Sequence, residues 1–553
     1  MNRKSDQTDL RSGNIPGDSF YSARIFAAQQ DLFGLGDFYI DSENFALRRG
    51  ELLDIPIMTL RLIFKYIITN HLAHYQITSY LVLVLWISLA FQLVSIQKQN
   101  NSILSMLIVG VALVFFFGNN NLVRNYEFAR PVSPQLTGLL WLLFLYVSKK
   151  YFENLNDIRK RQNLSFMLIC LVIVSIYSSV FLFLVLGSTF GVFLVSTLVQ
   201  GIWKIGFKTL LGTSFAVVSS VVGLYSRESN AGLADASERL GLIETRLPGA
   251  FNTVAVSLLT AFMILVRQYF KVEHTPLSHS ERVLLMASIG VVLASQSNVL
   301  TKTDIQFSYH FEQFSYLNLC LALSHYFLIY TGKLRSFRLK IELGYVPKVR
   351  ISLIFVAVIG QVLFFLSAYT APRISELKIR NVDIVKIENA IIDDARVSTT
   401  LPILSDFKIL YNEHMFYYGY SDAELLKRAY VSMGCPSTFT TMDVQSAFVY
   451  KIDAPLLKAK RYRELMATFP TFRLFEGPVE DLEREGLIAR REIQSDLDSV
   501  LRQVLNSDCI SLAKEFEVEL VLFNGKSHWY KILEDSGLQI NETSIIGLFS
   551  AKL

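Results

Sequence analysis

Between residues 78 and 370 the chain carries about ten strongly apolar stretches, several of them short of the roughly 20 residues that cross a bilayer, with short polar loops between them. Runs this long and this closely spaced cannot share one water-soluble core. They need a hydrocarbon solvent, in which each helix satisfies its own backbone hydrogen bonds. Composition agrees: 52% of residues are hydrophobic, only 18% are charged, and mean hydropathy is +0.36. The expected fold class is therefore an α-helical polytopic membrane protein of about 10 spans, closed by a C-terminal α/β domain outside the cytoplasm. A net charge of +5 is small for 553 residues and argues against nucleic acid as a partner.

Spans are expected near 78–97, 103–118, 135–148, 164–186, 188–203, 209–224, 251–269, 283–300, 313–331 and 351–370, although 164–203 could instead be one span and a re-entrant segment. Short loops rich in Lys and Arg mark the cytoplasmic side. Loop 149–163 carries Lys149, Lys150, Arg159, Lys160 and Arg161, and 332–350 carries Lys333, Arg335, Arg338, Lys340, Lys348 and Arg350. Lys204 and Lys208 flank a third turn, and Arg267, Lys271 and Arg282 a fourth. Ten spans put all four on one side, so residues 1–77 and 371–553 face out. The start MNRKSDQTDL has no apolar core of a signal peptide, so either this short region is translocated unaided or, the favoured expectation, a first span is missing from this chain. Three domains follow: an outer first-loop region 1–77, a transmembrane domain 78–370 and a soluble outer domain 371–553. Within the first, Leu52–Leu72 segregates Asp54, Arg61 and Lys65 from its apolar residues at helical spacing, as a helix lying on the membrane surface would.

Chemistry is expected in the outward loops, where a helical scaffold holds polar groups at the membrane face. In Pro16–Glu51 the first candidate is Asp18, then Asp37 or Asp41. A carboxylate there could take the proton of a sugar hydroxyl as general base, although Gly-Asp and Asp-Ser are also ordinary turn pairs. In Asn119–Gln135, Arg124 and Arg130 could grip a phosphate with their planar donor forks, or meet lipid head groups. A third group joins Arg227–Arg246, with Arg239 and Arg246, to Thr301–Gln313, with Lys302, Asp304, Gln306, His310 and Glu312. Gln306, His310 and Gln313 are spaced to share a helix face at the mouth of a span. His310 could touch a phosphate or sugar, or be a satisfied structural residue.

A long first outer loop with an early acid, a surface helix, many spans and a soluble outer domain together resemble the glycosyltransferase C superfamily, polytopic enzymes that use polyprenyl-phosphate-linked sugars. The stretch GDSFYSARIFAAQQDLFGLGDFYIDSENFALRRGELLDIP is similar to the first-loop region of bacterial members, and YEFARPVSPQ and NVLTKTDIQFSYHFEQ are similar to segments of bacterial membrane proteins of this kind. The resemblance implies transfer of a sugar from a polyprenyl-phosphate donor to an envelope glycan or lipid acceptor, in a bacterial inner membrane. It puts the catalytic carboxylate on Asp18 and implies a metal-optional mechanism, so no metal and no other cofactor are expected. The first loop lacks an Asp-x-Asp pair.

The tail changes character at residue 371: charged residues become frequent and no span is possible. Asp383–Ile392, Val518–Phe523 and Ile545–Phe549 read as strands, Ala423–Tyr430 and Pro478–Asn506 as helices. Asp393-Asp394, the aromatic run Tyr411–Tyr420 and His528-Trp529-Tyr530 could meet sugar or fill a core. Cys435 and Cys509 could pair, whereas Cys170 and Cys320 fall in apolar segments. CxxC and HExxH spacings are absent. The rival reading is a non-catalytic multi-span protein, a glycolipid transporter or an envelope assembly partner, which predicts no dependence on any first-loop carboxylate. A polysaccharide polymerase or ligase would need its long loop late in the chain, and here it comes first.

Overall fold

The computed structural model describes residues 71–95, 136–176, 179–199, 248–270, 276–301, 308–336, 420–468, 479–504, 508–543 and 548–553, with short pieces at 110, 235, 239, 242–244, 246, 303–305, 390–393 and 409–411. These residues are mostly helical, with two small sheets. The described residues of the apolar part include the helices α1 His71–Val94, α2 Thr137–Glu153, α3 Ile158–Ile176, α4 Val180–Val199, α5 Phe251–Tyr269, α6 His279–Ser295, α7 Ser297–Thr301 and α8 Glu312–Ser336. A two-stranded antiparallel ribbon joins β1 Leu242–Glu244 to β2 Thr303–Ile305.

The faces of α5 are inverted relative to a helix in water. Thr253, Ser257, Thr260 and Ile264 are buried, while Leu258, Leu259, Phe262 and Leu265 are 49–63% exposed. An aqueous helix buries its apolar stripe. Small hydroxyl residues inward and large apolar residues outward suit helices packed together in hydrocarbon. By length and composition, two helices among the described residues could cross a membrane, Phe181–Val199 and Phe251–Tyr269. The second coincides with the expected 251–269, while the expected 209–224 and 351–370, and 103–118 apart from residue 110, lie outside the described residues. Close packing uses missing side chains. A Cβ on Gly290 of α6 would lie 2.6 Å from the Thr189 Cα of α4. A Cβ on Gly138 of α2 would lie inside the Trp86 ring of α1, which is itself 1% exposed.

Two expectations shift. The break inside 164–203 falls between Ile176 and Val180, so Gly187 sits within a helix. Ser175 Oγ already bonds the Val172 carbonyl at 2.6 Å, a local competitor to the backbone ladder. Lys149 and Lys150 lie on the last turns of α2, where a loop was expected, because both have partners that favour helix. Lys150 Nζ is 2.7 Å from Glu153, three residues on. Lys149 Nζ reaches across to the end of α1 and donates to the carbonyls of Gln92, Leu93 and Ser95 at 2.6, 2.9 and 3.1 Å. Ser280 Oγ donates to Leu93 O at 2.5 Å, and His325 Nδ1 lies 2.7 Å from Val94 O. The last carbonyls of α1, which have no intrahelical partner, are thus served by α2, α6 and α8.

The tail forms a second core, around a sheet of order β3-β4-β6-β5, with β3 Ala390–Asp393, β4 Leu520–Asn524, β5 Asn541–Glu542 and β6 Leu548–Lys552. The β3–β4 pair is parallel and the other two pairs are antiparallel. Around it lie α9 Asp422–Ser432, α10 Gln445–Thr468, α11 Val479–Val504, α12 Cys509–Glu515 and α13 His528–Asp535. A disulfide links Cys435, just past α9, to Cys509 at the start of α12, with 5.8 Å between their Cα atoms. The aromatic Trp529 is fully buried and donates to the carbonyls of Val431 and Ser432, so it belongs to the core. Gly486 of α11 lets its backbone approach Pro455 of α10, whose carbonyl would be 3.1 Å from an added Cβ.

Gly290→Ala is expected to cost about 1–3 kcal/mol by forcing α6 from α4, read as a lowered thermal midpoint of the purified protein in detergent. Asp508 caps α12, accepting from Ser511 N and Oγ at 2.8 and 2.7 Å, and the Ser511 bonds hold its carboxyl below the usual range. A carboxyl depressed in the folded state stabilises above its unfolded value of about 3.9 and loses that contribution as pH falls through the folded one. Amide exchange at α12 should therefore accelerate below about pH 4, and Asp508→Ala should remove that step.

Candidate functional site

The bundle has two distinct ends. At one lie Lys149, Lys150, Arg159, Lys160, Arg161, Arg267 and Arg282, near the end of α1 and the start of α6. Here Arg267 pairs with Glu281, which also completes a capping box with Ser278. At the other end the heads of α2, α4, α5 and α8 meet the tail of α6, and there the polar side chains converge on one another.

At this second end Gln296, between α6 and α7, grips Gly249 by both amide atoms. It accepts from Gly249 N at 3.2 Å and donates to Gly249 O at 2.5 Å. That grip holds Ala250 at φ 50°, a left-handed conformation an alanine adopts only under constraint, and so aims the start of α5. One turn in, Asn252 Nδ2 lies 3.4 Å from Glu312 Oε1. Glu312 and Gln313 are 7% and 5% exposed on the first turn of α8, and Gln313 Oε1 takes the Thr137 hydroxyl at 3.3 Å. A buried carboxylate at the mouth of an apolar bundle is costly unless it has work or partners.

Two of the six sequence candidates fall on described residues. His310 sits on the 3-10 turn Ser308–Phe311 that opens α8, half-buried, with its ring 4.7 Å from that of Phe181 at the head of α4. Arg239 is fully buried. The β1–β2 ribbon brings their two stretches of chain together, pairing Leu242 with Ile305 and Glu244 with Thr303. Asp18, Arg124, Arg130 and Gln306 lie outside the described residues. Arg246 is exposed.

Arg239 is the hinge between bundle and tail. Its Nη1 pairs with Asp422 Oδ1, and its Nη2 donates to Tyr420 O at 2.7 Å. Lys451 Nζ takes the other oxygen of Asp422 at 2.6 Å. Asp235 accepts from the Asp422 amide at 2.9 Å, at the start of α9, where an anion also meets the helix dipole. Beside this, Phe251 packs on the cluster of Tyr462, Leu465 and Met466 of α10, against which Val479 and Leu482 of α11 also pack. Burial pulls the Arg461 guanidinium below its ordinary value, and Glu464 pulls it back.

Sequence reasoning did not find Asp422, Lys451, Gln296 or Asn252. Each acts through a partner far along the chain, and no local spacing announces it. Glu312 stood in the right segment without a role. Among the described residues no three His, Cys, Asp or Glu side chains converge on a metal-sized site.

No protein-family model and no curated protein matches the chain. Among solved structures, the apo oligosaccharyltransferase of Archaeoglobus fulgidus superposes with TM-score 0.42 at 10% identity, covering 94% of this chain and 66% of the archaeal one. The archaeal oligosaccharyltransferase of the same organism, in complex with an inhibitory peptide and a dolichol-phosphate, superposes with TM-score 0.36 at 11% identity, with the same coverage. This chain thus spans just under two thirds of the archaeal length. Superpositions this loose fix no activity.

Asp422→Ala should take away the carboxylate that Arg239 and Lys451 share, at a cost of about 3–5 kcal/mol. Thermal unfolding and limited proteolysis between bundle and tail measure it. Arg239→Met combined with Asp422→Leu should recover part of that loss, because it removes the buried guanidinium together with its carboxylate.

Proposed function

We propose that this chain is a membrane glycosyltransferase, moving a sugar from a polyprenyl-phosphate carrier to an envelope glycan or lipid in a bacterial inner membrane. The observation that carries the reading is the end of the bundle where Glu312, Gln313, His310 and Asn252 gather beneath an α/β domain clamped on by Arg239 and Asp422. A carrier whose apolar tail lies in lipid and whose phosphate rises to that level meets polar groups there and a roof above. About ten spans, with the tail on the outer side, complete the proposed architecture. The Cys435–Cys509 disulfide supports that orientation, since such bonds persist in oxidising compartments.

In the proposed reaction Asp18 takes the proton of the acceptor hydroxyl, whose oxygen bonds to the anomeric carbon. The bond from that carbon to the carrier phosphate oxygen breaks, and polyprenyl phosphate leaves with the electron pair. Arg124 and Arg130 hold the phosphate, with Gln306 and His310 as further contacts. Arg239 would join them by exchanging Asp422 for the donor.

Membranes containing the unmutated chain should transfer label from a panel of polyprenyl-phosphate sugars to extracted envelope lipids. Asp18→Asn at equal expression should lose at least the roughly hundred-fold that general-base catalysis contributes. Transfer that survives in Asp18→Asn removes the assigned base. Transfer by neither protein, with both folded in the membrane, points to the non-catalytic reading.

A further inference from the structure

One groove of the tail has no part in this reaction scheme. It is about 490 Å³ in volume and follows the seam between α10 and α11. On α10 it is lined by Asp453, Leu456, Leu457, Lys460 and Arg463, spaced at three and four residues and therefore on one helix face. On α11 the lining is Glu483, Leu487 and Arg490. Ion pairs close its two ends: Arg463 with Glu483, and Arg490 Nε with Asp453 at 3.4 Å. Lys460, between them, has no ion-pair partner among the described residues, so the groove keeps one cation uncompensated over a floor of leucines. It holds no aromatic ring on which a sugar could stack.

Its position relative to the bundle decides what can fill it. Phe251, the first residue of α5, whose inverted faces suit hydrocarbon, packs on the cluster of Tyr462, Leu465 and Met466, against which Leu482 of α11 packs as well. At about 1.5 Å of rise per helical residue, Arg463 is within about 5 Å of that contact and Lys460 within about 9 Å, whichever way α10 leans. The head-group region of a bilayer is about 5–8 Å thick on each side. The side chains of Arg463 and Arg484 are 63% and 73% exposed there, and Leu487 and Ile488, one turn further along α11, are 47% and 48% exposed. Exposed cations beside exposed large apolar side chains at head-group depth form an interfacial surface.

The geometry points to a binding site for an anionic phospholipid of the surrounding bilayer, its phosphate on Lys460 and Arg463 and the upper part of its chains on Leu456, Leu457 and Leu487. This rests on the membrane reading of the bundle and is independent of Asp18. A lipid held there fixes the tail at a set height over the membrane.

The test uses the full chain, purified in neutral detergent and returned to phosphatidylcholine bilayers containing a minor fraction of phosphatidylglycerol. Lipid retained after re-extraction is counted by native mass spectrometry. The unmutated protein should enrich phosphatidylglycerol, and enrichment should fall about five-fold for each cation removed in K460Q and in K460Q/R463Q. K460R/R463K should restore it, and Lys526→Gln, a remote exposed lysine, should leave it unchanged. An unchanged thermal midpoint in K460Q/R463Q separates loss of the site from loss of the fold, and K460Q alone serves if the double variant unfolds. Equal enrichment in the unmutated protein and both variants overturns the proposal. So does displacement of the phosphatidylglycerol by polyprenyl phosphate at equal mole fraction, which would make the groove a carrier site. Asp18→Asn should retain the lipid in full, so loss of transfer and loss of this site are read separately.

Discussion

A polar group buried away from water must find its partner inside the protein, and much of this architecture is the record of where those partners were found. The end of α1 presents carbonyls with no intrahelical partner, and Lys149, Ser280 and His325 come from three other helices to meet them. Leu93 O is met twice, by Lys149 and Ser280, whereas Ser95 O depends on Lys149 and Val94 O on His325. The same necessity ties Gln296 to the backbone of Gly249 and Arg239 to Asp422. Under the proposed membrane reading, with little hydrophobic drive between helices, such bonds and close contacts at Gly138 and Gly290 would take over much of the task that apolar burial performs in water.

The clamp at Asp422 illustrates how local features become a joint between two cores. Ser421 caps α9 through Glu424 N, and Asp235 reaches the next amide from the bundle side. Each oxygen of Asp422 then faces a different cation, one from the segment before β1 and one from α10. A buried ion pair of this kind contributes little net stability, because desolvation offsets attraction, but it penalises every arrangement in which a charge lacks its partner. It therefore specifies how the tail sits more than how tightly it holds.

Legibility in the sequence followed the range of the interaction. The expected stretch 251–269 became Phe251–Tyr269, and Val518–Phe523 became Leu520–Asn524, because periodicity and β-branched runs are local signals. Ala423–Tyr430 and Pro478–Asn506 became Asp422–Ser432 and Val479–Val504 for the same reason. The helix Gln445–Thr468 was missed, since Pro455 in its middle reads as a breaker. Lys149 was read as a loop charge marking one side of a membrane. Its fold-level task is to cap another helix, which depends on residues 54–57 positions away. Of the candidate residues, Arg239 was recognisable as a charge in an outward loop, while its partner Asp422 lies 183 residues further on and had no signal of its own.

The disulfide also orders events in time. Cys435 and Cys509 are 74 residues apart, and the helices α10 and α11 lie between them. The bond can close only after that whole hairpin has emerged and an oxidant has reached both thiols. Because Cys435 follows α9 directly, and α9 begins at the residue that Arg239 grips, closure anchors the far end of the helix that docks the tail. Assembly of the two cores is thus tied to maturation: a freshly made chain carries its docking helix on a looser tether than a finished one.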